Sequence, residues 1–177
     1  MSSVSRVLSL SRNRQAVLRF SDRSVPQDVL TRVLDCGRYA SSAKEAQPWR
    51  FVVVRDALKR HQLAAAAFHS AQVRAAPVLV VGCARVHSHV SGNGYPSHPV
   101  DLAAATQSMV LAAADMGLAA VWVTGYREGL VREILGIPQD VPVVSLLAIG
   151  YADGYAPLPE RLDRASVVSW DGWGAEP

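Results

Sequence analysis

The sequence predicts an α+β domain, and three observations carry that prediction. Four continuous apolar segments, 51–54, 78–83, 119–124 and 141–149, have the length and composition of strands. Stretches with apolar residues at helical spacing lie between them but alternate with them only loosely. No Gly-x-Gly-x-x-Gly loop follows a strand, which argues against a doubly wound dinucleotide-binding sheet. With 177 residues, 50% of them hydrophobic and 19% charged, the chain is long enough to bury a real core. A single domain over residues 1–177 is expected.

Val4, Val7, Leu8 and Ser11 fall on one face of a short first helix, which Arg12-Asn13-Arg14 break toward a connector ending at Phe20. Ser24 followed three residues later by Gln27 reads as a capping box, with Pro26 in the first turn. The helix it opens sets Val29, Leu30, Val33, Leu34 and Gly37 at helical spacing and delivers the chain to a loop at 41–47. After strand 51–54, an Ala-rich helix is expected over 58–68, and Ala76-Pro77 punctuates before strand 78–83. Residues 86–99 form a long irregular stretch with Gly92-Asn93-Gly94 and Pro96 as turn signals. Asp101 is expected to cap the long helix that follows, with Leu102, Met109, Ala113 and Met116 as its buried stripe and Gly117 as its stop. Its alanines allow the close helix packing that a buried dimer interface needs. Strand 119–124 leads through a turn at Gly125 to a short helix, 130–135, stopped by Gly136 and Pro138. Strand 141–149 is the most apolar segment and is expected at the sheet centre. The tail from Gly150 is rich in Pro, Gly and Trp, has no helical period and is expected to find little to pack against in its own chain.

The bulk chemistry excludes several function classes. The formal charge is +3, and residues 1–38 hold seven arginines against three aspartates, so the remainder is close to neutral. That basic excess reads as cover for a phosphate-bearing cofactor or as solvated helix surface. No basic stripe interleaved with aromatics supports nucleic-acid binding. No apolar run reaches the ~18 residues of a membrane span. Residues 1–14 overlap a transit peptide in composition but continue without a break into the pattern that follows, so they read as mature protein. Cys36 and Cys83 both fall in predicted apolar segments, where a free thiol behaves as a small hydrophobe; no disulfide and a cytoplasmic location are expected. His87, His89 and His98 match no standard zinc spacing and read as a solvated loop, so no metal is expected. No Gly-x-Ser-x-Gly elbow or Cys/His pairing offers a nucleophile.

The stretch from Ala40 to Val54 organises the chain. Ser41 and Ser42 offer hydroxyls, the alanines let another molecule approach the main chain, and Pro48 biases Gln47 toward extended backbone. A polar loop at the lip of a buried strand is a common ligand site; a plain helix–strand connector with a structural Trp is the alternative reading. Gln47-Pro48-Trp49-Arg50-Phe51 after a small-residue turn resembles the hallmark of the flavin-dependent nitroreductase family. The resemblance extends to Arg14–Phe20, Ser24-Val25-Pro26, Asp101–Tyr126, Val143–Tyr151, Arg161 and Val167-Val168-Ser169-Trp170, nearly the whole chain. It implies a three-layer fold with a mixed or mostly antiparallel central sheet flanked by helices, and a C-terminal tail that wraps the partner of a homodimer. It also implies FMN, with NADH or NADPH as electron donor.

Residue by residue, the resemblance sets Arg14 where the family's leading phosphate-binding Arg stands, with Gln15 and Ala16 at neighbouring cofactor positions. Leu18 stands where a second Arg or Lys is usual, and Arg12 or Arg19 is the candidate substitute. Ser42, Ala43, Lys44, Glu45 and Gln47 match the loop that meets the flavin ring; Glu45 replaces an Asn and, when ionised, only accepts. Thr124-Gly125 matches the strand-end pair beside the ring, and Arg161 the C-terminal Arg that reaches the phosphate. For Arg14 and Arg161 the competing reading is surface charge, and for Thr124-Gly125 a plain turn. Two functions follow. One is a flavoenzyme passing a hydride from NAD(P)H through FMN to a small nitro, quinone or enone acceptor by a ping-pong mechanism. The other is a non-catalytic flavin- or ligand-binding protein on the same scaffold, favoured by the changes at Leu18 and Glu45.

Overall fold

Two strands that are apolar on both faces require cover on both faces, and that requirement sets the architecture. The computed structural model describes residues 5–68, 70–85 and 94–175. In chain order it runs α1 (Arg6–Arg12), α2 (Gln27–Arg38), β1 (Trp49–Val54), α3 (Ala57–Ala66), α4 (Ser70–Ala75) and β2 (Val78–Ala84). There follow α5 (His98–Asp115), β3 (Ala119–Val123), α6 (Glu128–Leu135), β4 (Val143–Gly150) and α7 (Arg164–Val167). The sheet order is β1-β2-β4-β3, with every neighbouring pair antiparallel. Val78 and Val80 of β2 and Leu147 and Ile149 of β4 pack against α2 and α5. Their alternates Leu79, Val81, Leu146 and Ala148 pack against α3, α4 and α6. The result is the expected three-layer α+β sandwich, and β4, expected over 141–149, is one of its two inner strands. The sheet is wholly antiparallel.

Several local expectations are met by different groups from those assigned. The Ser24–Gln27 box does not form: α2 begins at Gln27 with Pro26 before it and no side-chain cap. Gln27 instead accepts from Arg55 at 2.7 Å, and Arg55 also donates to the Val25 carbonyl, which ties the start of α2 to the end of β1. The helix expected over 58–68 is capped by Asp56, which accepts from Lys59 N at 2.8 Å, and ends at Ala66, so α4 is a separate element. Asp101 sits in the first turn of α5 and does not cap it; its carboxylate turns to the 41–47 loop. Gly117 does stop α5, at φ 73, with Leu118 N–H on Ala113 O at 2.8 Å and Gly117 N–H on Ala114 O at 3.2 Å.

α1 buries no residue, and Val4 lies outside the described residues. His87 and His89 also lie outside them, while His98 opens α5. Cys83 is buried as expected, but Cys36 is exposed on α2; both are free thiols. The tail pairs with its own chain further than expected. Residues 151–156 run along the connector, with Ser21 N–H on Tyr151 O at 2.8 Å and Ala156 N–H on Ala16 O at 2.9 Å. Beyond that point Leu158, Leu162, Val167, Trp170 and Trp173 are exposed.

Candidate functional site

The loop that enters β1 is folded tightly on itself. Lys44, Glu45 and Gln47 have φ of 51, 54 and 44, so three non-glycine residues occupy the left-handed region within four positions. Gln47 is therefore not extended, despite Pro48. Ser42 overrides that bias: its hydroxyl accepts from Gln47 N at 3.0 Å and its carbonyl from Glu45 N at 3.1 Å, curling the chain back before Pro48. Lys44, Glu45 and Gln47 are exposed, Ser42 and Ala43 half-buried. From α5, the Asp101 carboxylate accepts from Ala43 N at 2.9 Å. Gln47 also lines a cavity of about 380 Å³ between α2 and β1, with Arg38, Arg50 and Phe51.

The arginine-bearing connector lies elsewhere. Its backbone pairs with the tail, Leu18 N–H on Gly154 O at 3.1 Å, and the Gln15 amide donates to Ala156 O at 2.9 Å. Arg14 and Gln15 line a cavity of about 300 Å³ with Ser9, Asn13, Leu118 and Tyr155 at the start of β3. Arg12 and Ala16 are exposed beside it. Leu18 is 55% exposed, and its side chain brings no donor. Arg19 pairs with Asp153 at 3.5 Å, and Arg161 is exposed on the tail.

Thr124 and Gly125 follow the other end of β3. Phe68 donates its N–H to the Gly125 carbonyl at 2.9 Å, and a β-carbon at position 125 would stand 2.5 Å from Cδ2 of Phe68. Only glycine accepts that ring so close. The Arg14 cavity and the 124–125 turn thus mark opposite ends of one edge strand, five residues or ~16 Å long. The 42–47 loop opens the opposite edge. Three interstrand steps, ~14 Å, separate β1 from β3 within a chain.

The sequence profile of the nitroreductase family matches residues 12–87 and 62–151. This chain belongs to the nitroreductase family. An Archaeoglobus fulgidus protein named as an NADH dehydrogenase/NAD(P)H nitroreductase is 30% identical over 89% of this chain and 91% of its own. A Vibrio harveyi NADPH-flavin oxidoreductase is 28% identical over 87% of this chain and 69% of its own. Nitroreductase A from Vibrio parahaemolyticus superposes with a TM-score of 0.86 at 27% identity, over 97% of this chain and 77% of that one.

As a member of the nitroreductase family, the chain offers a donor set that suits an anionic, ring-bearing cofactor. Arg14 supplies a guanidinium at a cavity mouth. The Trp122 indole N–H is buried with no partner among the described residues, and alternation puts it on the same face of β3 as cavity-lining Ala120. Trp122, Phe68 and Asp101 escape sequence reasoning because each reads as a core, helix or cap residue. An orphaned polar atom, or an exposed ring clamped on a glycine, is visible only after folding. No helix among the described residues is long and apolar enough to cross a membrane, and no His/Cys/Asp/Glu group among them is placed to hold a metal.

Proposed function

We propose that this nitroreductase-family oxidoreductase is an FMN enzyme that works as a homodimer. It would move hydride equivalents from NADH or NADPH to a small nitro, quinone or enone acceptor in a ping-pong cycle. The observation that carries the reading is the split of the family-matched residues between the two edges of one sheet. Arg14, Gln15, Thr124 and Gly125 follow the β3 edge, while Ser42, Ala43, Lys44, Glu45 and Gln47 belong to the β1 edge. In the proposed homodimer, the β1-edge loop of one subunit would complete the site at the β3 edge of its partner, and the reverse. FMN, when bound, supplies the redox chemistry, taking a hydride equivalent from the nicotinamide and giving it to the acceptor.

The chain's own groups bind and orient. Arg14 and Arg161 hold the phosphate as charge-assisted donors, with Arg12 as the reserve cation. The 42–47 loop presents backbone and side-chain groups to the ring edge, where Lys44 offsets the carboxylate of Glu45. Phe68 closes the far side of the Gly125 turn. The sequence offers no side-chain acid or base for the transfer, so the chain's part would be to hold and orient the cofactor. Two free thiols suit a reducing compartment, which supports a cytoplasmic location.

The test is flavin titration of purified protein, followed by bleaching of the bound flavin on addition of NADPH or NADH. Arg14→Ala and Arg161→Ala should each weaken FMN by about 1.5–3 kcal/mol, the range for a hydrogen bond to a charged group. Unchanged affinity in both variants removes the phosphate assignment. Absence of flavin binding in the wild type removes the enzyme reading with it.

A further inference from the structure

The two oxygens of Asp101 are treated differently by the fold. The residue is 5% exposed; Oδ1 accepts from Ala43 N at 2.9 Å, and Oδ2 has no partner among the described residues. A buried carboxylate with one oxygen unmatched opposes folding, and its helix neighbours Leu102 and Ala105 are core residues. An apolar residue here would avoid that penalty but could not accept from Ala43 N.

What it holds is strained. Lys44, Glu45 and Gln47, with φ of 51, 54 and 44, relax unless their surroundings over-determine them. The bonds from Ser42 to Glu45 and Gln47 are internal to the loop and would move with it. The Ala43–Asp101 bond ties 42–47 to another element, α5. The geometry points to Asp101 as the positioning residue of the cofactor loop. Its carboxylate fixes the Ala43 N–H to α5, and through that anchor holds Lys44–Gln47 in the shape presented to the flavin. The loop is then formed before cofactor arrives, and binding does not have to order it. What the loop touches rests on the function proposed above; the anchor itself does not.

Hydrogen exchange on flavin-free protein separates the two. In Asp101→Ala, the Glu45, Ala46 and Gln47 amides should exchange about tenfold or more faster than wild type, as loss of a hydrogen bond to a charged group implies. Amides of β2 and β4 should keep their protection. Asp101→Asn keeps an acceptor for Ala43 N and should recover most of the loop protection. Ala43→Pro removes the donor while sparing the carboxylate, and Ser42, at φ −142 and ψ 154, accepts a following proline. It should reproduce Asp101→Ala, and it carries the test if that variant does not fold. FMN titration of the same proteins should show affinity falling with loop protection and returning in Asp101→Asn. Loop exchange unchanged in Asp101→Ala or in Ala43→Pro overturns the anchor, as does Asp101→Asn exchanging as fast as Asp101→Ala. Protein that binds no FMN but shows the expected exchange pattern overturns the cofactor reading and leaves the anchor standing.

Discussion

Tyr126 donates its hydroxyl to the Val143 carbonyl at 2.8 Å, and Cys83 lies buried on the strand beside it. Burial pushes the Tyr126 hydroxyl up to about 12, with the Glu128 carboxylate adding to it. Burial likewise pushes the Cys83 thiol up to about 11, against a smaller opposing pull from Arg132. Both groups are raised above their unfolded values of 10.0 and 9.0, so the folded state favours their protonated forms. The stability they contribute is intact below pH 9 and is lost as pH rises from there through about 11 to about 12. Thermal unfolding midpoints should therefore be insensitive to these groups from pH 7 to 8.5 and fall above pH 9. Tyr126→Phe should lower stability at pH 7 by about 1 kcal/mol for the lost hydrogen bond and flatten the alkaline fall. An unaltered alkaline slope in that variant would show that Tyr126 is not its source.

At the level of elements, β2 meets β4 over a glycine. Gly82 lies opposite Ser145, and a β-carbon on it would stand 2.4 Å from the Ser145 hydroxyl oxygen. That hydroxyl pairs with Thr106 of α5 at 3.0 Å, both side chains buried, so it cannot swing away cheaply. The register shifts at the next residue, Cys83, and the Val143 N–H turns to Glu128 at 2.8 Å. Gly82→Ala should destabilise by about 1–3 kcal/mol through overpacking at the strand crossing, measured by denaturant unfolding. Gly82→Ala with Ser145→Ala removes the clashing oxygen and should recover part of that loss. A double variant no more stable than Gly82→Ala would place the strain in the backbone instead of on the hydroxyl.

For the whole molecule, the proposed homodimer would cover the exposed apolar residues of the tail, Leu158, Leu162, Val167, Trp170 and Trp173. An obligate interface of this kind buries upwards of ~2,000 Å². Sedimentation should give a single dimeric species at micromolar concentration, and deletion of residues 158–177 should yield monomer that no longer retains FMN. A stable, flavin-retaining monomer would contradict both the dimer and the split site.

The sequence by itself determined the layers and the family. Runs such as Val78–Val81 and Leu146–Ile149 are apolar at every position, and only a sheet covered on both faces can bury them. Gln47-Pro48-Trp49 carried the resemblance to the family because the signal is contiguous and needs no knowledge of neighbours. Gly117 as a helix stop was legible for the same reason: the αL requirement is local. Only the tertiary structure decided where polar side chains spend their hydrogen bonds. Asp101 has the chemistry of a cap, yet α5 lies against the loop and the Ala43 N–H claims the carboxylate. Ser24 and Gln27 have the spacing of a capping box, yet Arg55 arrives from β1 and takes Gln27. Gln47 precedes a proline, yet the Ser42 hydroxyl bends it to φ 44. In each case a partner distant in sequence, or a closed loop of bonds, outweighs a local preference worth about 1 kcal/mol, and such partners exist only once the chain has folded.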